Sequence, residues 1–156
     1  MSTYQEIVSD LLTLVPEIRA EYAEMNAGFG SGFSEHDVDE LQQLEETYER
    51  TNNTNSLGTT IVFENLLVPY VVDIVSTGKN SKKLSQLMDW IEALATNPMF
   101  EVSNLVAGSF CEPLIGSHQD ELSLLYPFMG KRTKELCKMQ FSRFIVSEEI
   151  KKMFGS

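Results

Sequence analysis

The residues that would first suggest chemistry are two glutamates, Glu92 and Glu112. They stand at matching places in Trp90-Ile91-Glu92-Ala93-Leu94 and Phe110-Cys111-Glu112-Pro113-Leu114, twenty residues apart. Carboxylates on adjacent helices can share a proton or hold a metal. A di-metal carboxylate site also asks for Glu-x-x-His, and neither His36 nor His118 has a Glu three residues before it. The reading that fits better is structural. A buried carboxylate persists when it is hydrogen-bonded or paired, so each Glu is expected to meet the free amides of a helix start or a nearby base.

The other candidates carry less. His36 and His118 lie by no Ser or Cys nucleophile in a recognisable local signature, so no catalytic triad is expected. Cys111 and Cys137 are too few for a disulfide framework and have no partner at metal-ligand spacing; they read as two reduced thiols in a helical core. Gly28-x-Gly30-x-Gly32 lacks the Lys-Ser/Thr ending of a phosphate loop and a strand before it. Its Phe29 and Phe33 are either anchors of that loop or apolar anchors for a partner. Lys131-Arg132-x-Lys134 is too short for a nucleic-acid patch. No catalytic residue, metal or cofactor is expected.

Charge says more than any motif. The 156 residues carry 12 Lys and Arg against 23 Asp and Glu, a net charge of −11. Residues 1–50 hold twelve acids and only Arg19 and Arg50, a net of −10, while residues 51–156 are nearly balanced at −1. From Pro127 the sign reverses, with seven bases against three acids. This argues against duplex nucleic acid or an anionic membrane as direct partner, since both need a basic surface. It suits a surface that steers a basic partner, the alternative being a solvated face that aids solubility.

Positioning these residues calls for helices. Ile7, Leu11, Leu12, Leu14 and Val15 form an apolar stripe that Pro16 breaks, and Pro16 suits the first turn of a second helix reaching about Asn26. Ser34 can cap an acidic helix held down by Val38, Leu41, Leu44 and Tyr48, followed by a polar linker. From Thr60 to Ser76 the chain is apolar almost all round, which predicts a central buried helix kinked near Pro69 and ended by Gly78. Asn80 or Ser81 caps the next, Asn97-Pro98 opens another, Gly116-Ser117 is a turn, and Lys131–Phe144 forms a last long helix before a short amphipathic tail. The expectation is one all-α domain of six to eight helices. It comprises an acidic part, 1–50, and a helical core, 57–154, with helix pairs stacked in HEAT-like order. The N-terminus has no basic and apolar signal pattern, and Glu64, Pro69 and Asp73 interrupt the longest apolar run, so a cytoplasmic chain is expected.

Several blocks carry a resemblance. They are Val15-Pro16-Glu17-Ile18-Arg19-Ala20-Glu21-Tyr22, Val62-Phe63-Glu64-Asn65 with Val68-Pro69-Tyr70, and Trp90-Ile91-Glu92-Ala93-Leu94-Ala95. Glu101-Val102-Ser103-Asn104-Leu105 and Phe128-Met129-Gly130-Lys131-Arg132-Thr133 complete the set. Over residues 12–138 the chain resembles an uncharacterised bacterial family of small all-helical proteins, which favours Asn where this chain has Val68. The family offers no catalytic residue to carry over. In size, charge and build its members are similar to immunity proteins of contact-dependent and polymorphic-toxin systems, an analogy of class. It implies a protein that neutralises the C-terminal domain of a cognate toxin, a basic nuclease being the natural partner. The surface expected to do so comprises Glu35, Asp37, Asp39, Glu40, Glu45, Glu46 and Glu49, with Phe29 and Phe33 as anchors. The competing expectation is a HEAT-like adaptor for another protein. Oligomeric state is left open.

Overall fold

A computed structural model describes residues 4–29 and 56–155, and every regular element among them is helical. The chain divides into two units, Ser2–Val62 and Phe63–Ser156.

In the first unit, α1 (Ile7–Leu14) ends where Pro16 cannot donate an amide, and Pro16–Ile18 forms a 3₁₀ turn leading into α2 (Arg19–Phe29). The loose end of α1 is satisfied by the Val15 amide on the Leu11 carbonyl (2.8 Å) and by Arg19 Nε on the Leu12 carbonyl (3.1 Å). Ile7, Leu11, Val15 and Ile18 are buried, and Glu17, Glu21 and Glu24 are exposed. Of the stripe read from the sequence, Ile7, Leu11 and Val15 are buried and Leu12 and Leu14 partly so, and α2 runs three residues beyond the expected Asn26.

A third helix, α3, covers residues 56–77, and the division between the units falls within it. The second unit continues with α4 (Ser81–Ala95), α5 (residues 100–117), α6 (Gln119–Leu125), α7 (Lys131–Met139) and α8 (Glu148–Met153). Both α3 and α5 contain a π-turn, Phe63–Leu67 in one and Val106–Cys111 in the other. Each precedes a proline by two residues. Pro69 and Pro113 would each clash with the carbonyl four residues back, Asn65 and Ser109, and both of those lie in the wider turn. At each proline the helix widens, and at Pro69 this falls where a kink was expected.

Caps set the other boundaries. Gly78, at φ +68°, ends α3; Asn80, also left-handed at φ +57°, caps α4 by accepting the Lys83 amide at 3.3 Å. Asn97 instead accepts the Met99 amide at 2.9 Å, closing a turn before the helix, so α5 starts at Phe100 and not beside Pro98. α5 runs through Gly116, and the break falls at His118. α7 stops at Met139, short of Phe144.

α3 packs on α4, and α4 on α5, as stacking in order requires; α7 then returns to lie against both α4 and the π-turn of α5. Phe63, Leu87, Met88, Ile91, Phe110 and Leu122 are fully buried in this unit. The stretch Gly58–Thr77 is, by length and composition, apolar enough to cross a membrane. Glu64, Pro69 and Asp73, expected to interrupt the apolar run, do not bring it below that level, and the helix runs through them as the sequence predicted. Of its most apolar window 44% is packed inside the protein.

Candidate functional site

The N-terminus of α7 explains Glu92. Gly130 stands at the capping position and has no side chain to offer, so the first amides of α7 lack a local acceptor. Glu92, on α4, supplies one from forty residues away. Its Oε2 accepts the Arg132 amide at 2.9 Å, and its Oε1 accepts the Thr133 amide at 2.8 Å and the Thr133 hydroxyl at 2.7 Å. A negative group suits the positive end of the helix dipole, the more so where Lys131 and Arg132 crowd the same turn. Thr133 is completely buried, and Glu92 satisfies its only hydroxyl.

Gly130 makes the approach possible. A Cβ there would overlap Glu92 Cδ, Cγ and Oε1. Two of the blocks that carried the resemblance, Trp90–Ala95 and Phe128–Thr133, thus grip one another. Sequence reasoning named both without joining them.

Glu112 has a different occupation. It accepts from Arg143 Nη1 at 2.8 Å, in a pair whose arginine side chain is 69% exposed. One glutamate answers a helix start and the other a base, the structural reading of each. Among the described residues no group of three or more His, Cys, Asp or Glu gathers as a metal site.

Beneath the clamp lie the cysteines. Cys111, at the end of the π-turn in α5, and Cys137, on α7, are both fully buried, with Sγ atoms 2.7 Å apart. Burial, the Cys137 sulfur and the charge of Glu112 push the Cys111 thiol well above its ordinary range. The spacing of two lone cysteines gave no sign of this meeting, because it depends on the return of α7.

A family model described as a domain of unknown function matches residues 8–143. The chain belongs to that family, DUF7674. The DUF7674 match takes in Glu92, Gly130, Thr133 and both cysteines, and ends at Arg143, before α8. No curated protein and no solved structure matches the chain.

The surface residues expected to bind a partner, Glu35, Asp37, Asp39, Glu40, Glu45, Glu46, Glu49 and Phe33, lie outside the described residues. Phe29 closes α2, where the sequence suggested a loop, and its side chain is likewise outside them. Of the same acidic third, Glu6, Glu21 and Glu24 are described and exposed. Exposed apolar side chains occur in the second unit at Phe100 (76%) and Ile145 (97%).

Proposed function

We propose that this DUF7674 protein is a cytoplasmic inhibitor of the immunity-protein kind, which neutralises a cognate bacterial toxin domain by occluding its active site. The partner we infer is a nuclease, whose cleft must be basic to hold phosphates. The observation that carries the reading is the concentration of charge: a net of −10 in residues 1–50 of a chain whose remainder is nearly neutral. Such a surface accelerates encounter with a basic cleft and excludes wrong partners, while a few desolvated contacts hold the complex. Supporting it, the exposed Glu21 and Glu24 stand on a helix that buries Tyr22, so acids of this third face solvent. The two carboxylates most suggestive of chemistry are meanwhile engaged by Arg132, Thr133 and Arg143. The chain acts by binding and does no chemistry of its own.

The test is rescue. The protein encoded beside this chain's gene, which the proposal expects to be toxic, is expressed in a host with and without this chain, and its nuclease activity is assayed with the purified chain added. Restored growth together with stoichiometric inhibition supports the proposal; a toxic neighbour that this chain neither rescues nor inhibits overturns it.

A further inference from the structure

We infer that Cys111 and Cys137 form a redox-active pair, which a peroxide oxidant closes to an intramolecular disulfide that ties the π-turn of α5 to α7. The geometry carries the inference. The thiols come from elements 26 residues apart, and the Cys137 thiol donates to Cys111 Sγ at 2.7 Å. A disulfide would bring the two sulfurs closer by only about 0.7 Å. Both neighbours of the contact are held: α7 by Glu92 at its N-terminus, and the π-turn by packing against α7. Cys111 Sγ also faces the Thr133 carbonyl at 4.0 Å, one step from the clamp.

The reaction balances with hydrogen peroxide as the oxidant. One thiolate attacks a peroxide oxygen, giving a sulfenic acid and hydroxide; the second attacks the sulfenic sulfur and expels another hydroxide. The sulfurs lose two electrons to the peroxide, and the two thiol protons leave in two waters. Complete burial decides the tempo. Glu112 and the neighbouring sulfur disfavour a thiolate on Cys111, so closure proceeds through openings in which α7 parts from the π-turn, and is slow. The same burial then slows reduction of the bond. The pair is a latch on the second unit, set by sustained oxidation.

The experiment uses the full, reduced chain. It is incubated with hydrogen peroxide at low protein concentration, denatured with excess maleimide, and analysed by mass spectrometry. The expected product is a monomer lighter by two hydrogens that takes up no maleimide and yields a linked Cys111–Cys137 peptide. Its thermal midpoint should rise by roughly 5–15 °C, because the link restricts the unfolded chain, and dithiothreitol should reverse the rise. Comparing oxidised with reduced wild type needs no variant to fold, and Cys137→Ala should show neither the link nor the shift. Thiols that still take up maleimide, irreversible sulfinic acids, links between chains, or a link with no gain in midpoint would each overturn the inference.

Discussion

Gly130 lacks a side chain where Glu92 needs the room, and that single juxtaposition is the most testable feature of the second unit. A methyl at Gly130 must push the carboxylate aside, and a flexible Glu can move, but only by giving up three hydrogen bonds. Glu92→Ala should cost about 1–3 kcal/mol, the range for leaving a buried donor unanswered. Gly130→Ala should cost a similar amount, and the double variant little more than either alone, because both remove one interaction. Urea denaturation of the four proteins checks this; strictly additive losses would separate the two residues. Glu112→Gln, by contrast, loses a pair with a largely exposed arginine and should cost at most about 1 kcal/mol. At Trp90 the indole packs on Phe63 with ring centroids 6.1 Å apart, yet its buried Nε1 finds no acceptor among the described residues. Trp90 is only half-buried, so the loss in Trp90→Ala should fall at or below the low end of the 3–5 kcal/mol typical of buried aromatics. Trp90→Phe should be close to neutral, since it removes an unpaired donor. Cys111 adds a pH dependence. Its folded thiol keeps its proton where an unfolded one, at roughly 8.5, begins to lose it, so the unfolded state binds fewer protons. That contribution is complete below about pH 8.5 and declines as pH rises towards the folded value, by at most about 1.4 kcal/mol per unit. Cys111→Ala should remove that part of the alkaline slope in denaturation midpoints. The glutamates' structural roles were legible in the sequence. Their partners were not, because Gly130 and Arg143 are remote in the chain and no local pattern reaches that far.

The helices were legible as elements wherever apolar spacing and capping residues agreed. Gly78 and Asn80 mark their boundaries as expected, whereas the capping of α8 by Ser147, which accepts the Ile150 amide at 3.2 Å, was not read from the sequence. The departures came from side chains that compete with the helix. Asn97 spends its oxygen on a turn, and Gly116 stays helical because the break is made at His118. The two π-turns had no signal beyond their prolines. Their role gives an element-scale prediction: because the widened turn already accommodates the ring, Pro69→Ala should change stability by less than about 1 kcal/mol. In a regular helix interior the same replacement would gain about 3 kcal/mol. A gain of that size in thermal or chemical denaturation would mean that the π-turn does not relieve the proline.

On the scale of the whole molecule, apolar periodicity foretold an all-helical chain and the charge count a lopsided distribution of acids, and every regular element among the described residues is helical. What composition does not reveal is which exposed acids meet a partner, since steering depends on summed charge and contact on shape. Those two contributions separate kinetically. Reversal of Glu35, Asp39, Glu46 and Glu49 to Lys should slow association and flatten its salt dependence, whereas reversal at a buried contact should speed dissociation and cost roughly 2–5 kcal/mol. Reversal of Lys79 and Lys82, both exposed on the other side of the charge divide, should change little. The most direct test of the proposal that this chain is an acidic inhibitor is therefore the association rate with the neighbouring toxin domain, measured across ionic strength. The rate should fall steeply with added salt, and the four acidic reversals should lower it at least tenfold at low salt. A rate indifferent both to salt and to those reversals would contradict the proposal.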